Sequence, residues 1–256
     1  MWHGPLGKGE DVRVPQRLPS LFYPPIGFAH RGARAHAPEN TLEAFELALR
    51  LGSTGLESDV WLTEDGVAVL DHDGVVGSLL RGRRRRAIRA HRRDELPAHI
   101  PSLSDLYEAC GTDFYLSLDV KDPDAIAAVI AAARSAGPRA TSRLWLCHPD
   151  LDVVGSWRDL DDDVRLVNST RLARIPEGAE MRAAALAERD IDAMNMHHTD
   201  WTGGLVALFH RFDRFALGWD AQFERVVAEL VDMGIDGVFS DHVDRMMDTI
   251  RAATDA

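Results

Sequence analysis

Seven residues in this chain have the types and spacings that move protons and hold anions. They are His30 and Arg31 in "FAHRG", Glu57 and Asp59 in "GLESDVWL", His72 in "LDHD", and Asp119 and Lys121 in "LSLDVK". Side chains alternate sides along a strand, so Glu57 and Asp59 share one face while Leu56, Ser58 and Val60 take the other. Asp119 and Lys121 share a face for the same reason. Two carboxylates confined together repel unless a cation or a proton sits between them. An arginine could satisfy them. A hard divalent cation, Mg2+ or Ca2+, takes oxygen ligands and accounts for more of the pattern. A metal, two histidine proton carriers and two cationic side chains suit a reaction on a phosphate group.

Such residues need elements that bring them to one place. From Ile26 onward, short apolar runs suited to strands alternate with helix-like stretches. The runs are "IGFAHR", "TGLESDVWL", "DFYLSLDVK", "LWLCH", "VRLVNS", "IDAMNMH", "FALGW" and "DGVFSD". Helical periodicity lies between them, as in "TLEAFELALRLG", where Leu42, Phe45 and Leu49 fall on one face. There, Asn40 with Glu43 three residues on reads as a capping box. Strict alternation implies a parallel sheet, and eight units in one domain of this length predict a single closed (β/α)8 barrel. No Gly-x-Gly-x-x-Gly follows the first strand, which disfavours a dinucleotide fold. "VAVLDHD" reads as a short insertion after strand two. Residues 1–25, rich in Pro and Gly, read as an N-terminal tail, and 26–256 as the barrel domain. In such a barrel the C-terminal strand ends meet where active sites lie, so the seven residues converge there.

The formal net charge of -12 disfavours general nucleic-acid binding. Cys110 and Cys147 form no close pair, which excludes a disulfide framework or a Cys-rich zinc site; both read as inert core thiols. The first residues lack a basic start followed by a long apolar run, so no membrane anchoring and a cytoplasmic location are expected. Of 29 basic residues only Lys8 and Lys121 are lysine, which makes a lysine beside Asp119 notable. Arg81, Arg83 to Arg86, Arg89, Arg92 and Arg93 form a cationic run that reads first as a solvated loop and second as an anion collector near the barrel mouth. His197, His198 and Asp200 in "MNMHHTDW" could form a second metal site; ordinary rim polarity is the commoner cause.

The blocks "AHRGARAHAPENTLEAFELAL", "GLESDVWLTEDGVAVLDHD", "LDVK" and "GIDGVFSDHVD" resemble the glycerophosphodiester phosphodiesterases in order and spacing. The resemblance implies a (β/α)8 barrel that hydrolyses glycerophosphodiesters to sn-glycerol 3-phosphate and an alcohol with one divalent cation. It implies that His30 and His72 are the acid–base pair, and that Glu57, Asp59 and Asp119 are metal ligands. It further implies that Arg31 and Lys121 hold phosphate oxygens and that Trp219 lines the glycerol pocket, although barrel packing would equally explain Trp219. Asp241 matches the closing block and is expected to start the last helix in a structural role. The resemblance also suggests internal attack by the substrate's 2-hydroxyl. Two departures stand out: Asp119 replaces the family's usual Glu, and the usual Leu-x-Arg-Thr-Thr after "HD" is absent. The rival readings are a lysophospholipase D and a non-catalytic phosphodiester-binding barrel.

Overall fold

The computed structural model describes residues 17–77 and 85–254. Its strands are β1 (Ile26–Ala29), β2 (Gly55–Leu62), β3 (Ala68–Leu70), β4 (Val75–Val76), β5 (Arg86–Ala87), β6 (Tyr115–Val120), β7 (Leu144–His148), β8 (Arg165–Ser169), β9 (Ala193–His197), β10 (Phe215–Trp219) and β11 (Gly237–Ser240). Its helices are α1 (Leu42–Arg50), α2 (Leu103–Cys110), α3 (Ile126–Ala136), α4 (Pro138–Ser142), α5 (Leu151–Gly155), α6 (Ala179–Glu188), α7 (Gly203–Arg211), α8 (Glu224–Asp232) and α9 (Val243–Thr254). Eight parallel strands run in the order β1-β11-β10-β9-β8-β7-β6-β2, and pairing of Phe28 with Gly55 and Ala29 with Leu56 closes the ring. The expected (β/α)8 barrel is therefore formed, and all eight expected runs supply its strands. Among the described residues no helix is long and apolar enough to cross a membrane.

The alternation seen in the sequence becomes two cores. Leu56 and Val60 of β2 point outward into the large layer between strands and helices, with Phe45 and Ala48 of α1. Inside the barrel, Ile26, Phe28, Trp145, Cys147, Val167, Leu217 and Phe239 fill the lower part. Phe28 stacks on Phe239 with ring centroids 4.5 Å apart. This apolar plug leaves the polar ends of the strands above it. The capping expectation at α1 was one residue off. Thr41 is the N-cap, its hydroxyl accepting from the Ala44 N–H, while Asn40 is buried with φ +56 and its Oδ1 accepts from the Ser58 hydroxyl at 2.8 Å. Asn40 thus joins the first loop to β2 rather than capping the start of α1.

The insertion after β2 is an arm with its own small core. β3 folds back antiparallel on β2, and β4 and β5 form a separate two-stranded ribbon. Val69, Ile88, Leu96 and Ile100 pack beneath it with Trp61. Arg81, Arg83 and Arg84 lie outside the described residues. Of the others, Arg85 pairs with Asp73, Arg89 with Asp122 and Asp124, and Arg93 with Asp105. These cations therefore meet carboxylates in their own neighbourhood.

The described part of the N-terminal segment packs against the barrel. Phe22 meets Tyr115 and Phe215 edge-on beneath the inner core. Asp236, fully buried, fastens it: one carboxylate oxygen accepts from the Ser20 hydroxyl and the Leu21 and Phe22 N–H groups, the other from His210 and the Ala216 N–H. Removing it would strand the buried Ala216 N–H and four partly buried donors. Asp236→Ala should therefore destabilise the protein by about 3–5 kcal/mol. A calorimetric scan should show a melting temperature lower by roughly 6 °C or more; a shift within 2 °C, on the order of a surface substitution, would contradict this account.

Candidate functional site

The first loop is shaped by backbone constraints that the residues "HRG" meet. His30 follows β1 and its N–H donates to Ser240 O at 3.0 Å. Arg31 adopts φ +54 and Gly32 φ +78. A Cβ on Gly32 would lie 2.7 Å from the Ala44 backbone, so only glycine fits against α1. This turn aims the Arg31 N–H at Glu57 Oε2, 2.9 Å away, and brings His30 Nε2 to 3.9 Å from the same oxygen. On its other side, His30 Nδ1 lies 2.6 Å from Asp241 Oδ1.

These contacts set the charge on the ring. Burial alone would lower the His30 pKa, but the Glu57 carboxylate and the hydrogen bond to Asp241 outweigh it and hold the imidazole above its ordinary value. Asp241 moves the opposite way. Burial would raise it, yet its hydrogen bond with His30 and the nearby Arg34 and Arg31 charges hold it below the usual carboxylate range. Asp241 was expected to act only at the start of the last helix. It instead holds the first loop's histidine, a contact that joins the two ends of the barrel sequence and has no local signal.

The acids stand beside this loop. In the β2–β6 register Glu57 faces Ser117 and Asp59 faces Asp119 on the neighbouring strand, so the two spacings read from sequence become one patch. Burial pushes Glu57 up to about 7. Burial also raises Asp59, despite Lys121 and Arg31 nearby. Lys121 Nζ lies 3.2 Å from Asp59 Oδ1 and also contacts Asp119 Oδ2, so an ammonium bridges two of the expected metal ligands. Arg31 reaches Glu39 at 3.1 Å and approaches Asp59 Oδ2 at 3.5 Å. Asp59 Oδ2 is nevertheless buried without a hydrogen-bond partner. An orphan carboxylate oxygen beside a buried, proton-seeking Glu57 is a donor set short of positive charge. Its all-oxygen chemistry fits a hard cation.

His30, Arg31, Glu57, Asp59, Asp119, Lys121 and Trp219 line one cavity of about 840 Å³ at the C-terminal mouth of the barrel. Seven of the eight expected site residues thus come together. His72 is not among the lining residues. It sits exposed on the turn after β3, with Nδ1 2.9 Å from Asp73 Oδ1. The neighbouring Asp71 N–H donates to Asp59 O at 3.1 Å, which tethers that turn to the acid end of β2.

Further residues, Cys147 among them, share the cavity. Ser117, Cys147 and Asn195 lie on its walls, with Arg171 and Arg174 toward the outside. Burial raises the Cys147 thiol pKa, in keeping with an inert thiol. The Arg171 guanidinium is held by Asp200 at 2.6 Å and sits over the Trp219 ring. Asp200 is therefore not available to the neighbouring histidines, and the acid beside them is Asp220. Among the described residues, the His197, His198 and Asp220 group alone brings three ligating atoms within 4.8 Å of one another, and it could hold a divalent metal ion.

Residues 30–245 match the glycerophosphoryl diester phosphodiesterase family. Over 257 aligned positions the chain is 28% identical to the probable glycerophosphodiester phosphodiesterase 2 of Mycobacterium tuberculosis, covering 89% of this chain and 91% of that one. It is 32% identical to mouse glycerophosphodiester phosphodiesterase 1 over 152 residues, 53% of this chain and 46% of that one. Among solved structures, a glycerophosphoryl diester phosphodiesterase from Silicibacter pomeroyi superposes with a TM-score of 0.78 at 23% identity, covering 94% of this chain and 97% of that one. An Oleispira antarctica phosphodiesterase in complex with the product sn-glycerol-3-phosphate superposes with a TM-score of 0.76, also at 23% identity, covering 89% and 97%. At that identity the structures speak for the fold.

Because folding raises the His30 pKa, it favours the imidazolium. That contribution to stability is complete below about pH 6.5, the unfolded value, and is lost as the pH rises through the folded value. NMR titration of the metal-free protein should place His30 above 6.5. Asp241→Asn should move its midpoint downward, since a stabilising carboxylate is removed. An unchanged midpoint would show that the Asp241 contact does not govern the ring.

Proposed function

Because the chain belongs to the glycerophosphoryl diester phosphodiesterase family, we propose that it hydrolyses glycerophosphodiesters to sn-glycerol 3-phosphate and an alcohol. The observation that carries this reading is His30, held between Asp241 and Glu57 on the wall of a cavity that also presents Arg31 and Lys121. The Oleispira antarctica phosphodiesterase, of the same fold, is in complex with the product sn-glycerol-3-phosphate. The same product is proposed here.

Glu57, Asp59 and Asp119 would hold one Mg2+ or Ca2+, which when bound supplies charge neutralisation at the phosphate. Arg31 and Lys121 bind phosphate oxygens, Arg31 as a planar fork and Lys121 as a compact point charge. A carboxylate can only accept, so Asp241 fixes the proton on His30 Nδ1, and the neutral ring exposes Nε2 as a proton acceptor. The substrate's 2-hydroxyl, already tethered beside phosphorus, is the proposed nucleophile. Its proton goes to one proton carrier as its oxygen bonds to phosphorus. The bond from phosphorus to the headgroup oxygen breaks, and a second carrier protonates the departing alcohol. Water then opens the cyclic phosphate with the same groups in reversed roles. The His30 role stands on its geometry; the His72 role rests on sequence resemblance. Action in the cytoplasm on small glycerophosphodiesters completes the proposal.

Release of glycerol 3-phosphate from a panel of glycerophosphodiesters tests this reading. Activity should vanish in excess chelator and return with Mg2+ or Ca2+, and Glu57→Gln should weaken metal affinity while leaving the barrel folded. His30→Ala and His72→Ala should each lower kcat by about 10²-fold or more. Full activity with chelator present would overturn the metal's role, and metal binding without turnover on any substrate would favour a non-catalytic binding barrel. An analogue carrying 2-deoxyglycerol should bind without being cleaved. Cleavage at the parent's rate would replace internal attack with direct attack by water.

A further inference from the structure

Across the barrel mouth from the acids, the chain gathers a second set of ligating atoms. β9 ends at His197 and a one-turn 3-10 helix, His198–Asp200, begins at the next residue. A continuing strand would send consecutive imidazoles to opposite sides. The change of conformation instead lays them side by side, ring centroids 4.5 Å apart with 31° between their planes. β10 pairs with β9 in a register that sets Trp219 opposite His197, and Asp220 follows directly. Asp220 Oδ2 lies 3.1 Å from His197 Nε2.

We infer that His197, His198 and Asp220 bind one borderline transition-metal ion of the Zn2+ class, at a site separate from Glu57, Asp59 and Asp119. Separateness follows from the strand order: β9 stands opposite β2 in the ring, and β10 opposite β6. Selectivity follows from the donors. Two imidazole nitrogens and one carboxylate suit Zn2+ and its neighbours, whereas Mg2+ and Ca2+ take oxygen. Three protein ligands also leave a fourth tetrahedral position for water or an anion. The surroundings fit ligation. His197 Nδ1 accepts from the Thr199 N–H at 3.2 Å and lies 2.7 Å from the Thr199 hydroxyl, contacts that hold the ring with Nε2 toward Asp220. Trp219 packs edge-on against the same ring at 4.6 Å. Gln222 Nε2 donates to Asp220 Oδ1 at 3.1 Å, leaving Oδ2 for the metal. Asp220 also lines the cavity, so the ion would stand at its rim.

Cobalt(II), which occupies Zn2+ positions and absorbs visible light through its d electrons, is the probe. The metal-free full chain should develop a visible band that saturates at one equivalent of Co2+. Zn2+ should abolish the band and a large excess of Mg2+ should not. The band should persist in Asp59→Asn and be lost in His198→Ala. Asp220→Asn, which keeps the side chain's shape, should raise the Co2+ dissociation constant at least about tenfold and guards against a folding defect in the histidine variant. Absence of any band in the wild-type protein would overturn the inference. So would a band that disappears in Asp59→Asn but survives in both rim variants. Neither result bears on glycerol 3-phosphate release, so the two proposals stand or fall independently.

Discussion

The arrangement depends on one buried carboxylate. Glu57 Oε2 accepts the Arg31 N–H at 2.9 Å and draws the loop after β1 onto β2. A carboxylate without water must recover its lost solvation from fixed donors and nearby positive charge. Glu57 has one backbone donor and the His30 ring at 3.9 Å, too little to restore its ordinary acidity, and its pKa climbs accordingly. The same shortage raises His30. Its proton is shared electrostatically by Glu57 on one side and Asp241 on the other. The loop geometry, the histidine's charge and the appetite of the acids for a cation are thus one coupled electrostatic problem.

The second half of that problem is solved by strand register. Because β2 and β6 pair with Asp59 beside Asp119, two short motifs far apart in sequence become adjacent anions. Lys121, two residues beyond Asp119 on the same face, reaches both. Lysine suits this position because its compact ammonium can sit between two carboxylates and turn elsewhere on a flexible stem. An arginine fork would engage one carboxylate in a fixed plane. In a chain that otherwise uses arginine almost exclusively, this requirement gives the lysine a physical reason.

Much of this was legible in the sequence because period-two alternation and eightfold repetition are local signals. The pairing of Glu57 with Asp59 on an inward face, with Leu56 and Val60 outward, follows from strand geometry alone. What escaped was non-local. Asp241 meets His30 only after the barrel closes, and Glu39 meets Arg31 only once Arg31 takes a left-handed turn. Asn40 carried a misleading local signal: its type suits a helix cap, yet Ser58 on β2 claims its side chain. The histidine pair at the end of β9 was visible, but its acid partner was sought nearby at Asp200. Arg171 holds that carboxylate, and cross-strand pairing supplies Asp220 instead.

His72 differs from the other expected site residues in what positions it. They stand on barrel strands, directly after one, or in the tight loop after β1, whereas His72 belongs to the arm. That arm is anchored by Trp61, where β2 runs past the barrel: its Nε1–H donates to Asp71 O at 2.7 Å, and Gly74 closes over its ring. Gly74 has φ +66, and a Cβ there would come within 2.4 Å of the indole, so the turn is fitted to Trp61. The backbone on both sides of His72 is thereby fixed, and the Asp71 N–H ties it to Asp59. The side chain, in contrast, is exposed and turned toward Asp73. A side-chain rotation needs only nanoseconds or less, whereas the arm's packing would have to break for the backbone to move. His72 is thus held at its backbone by the arm, while its side chain pairs with Asp73 apart from the residues that line the cavity.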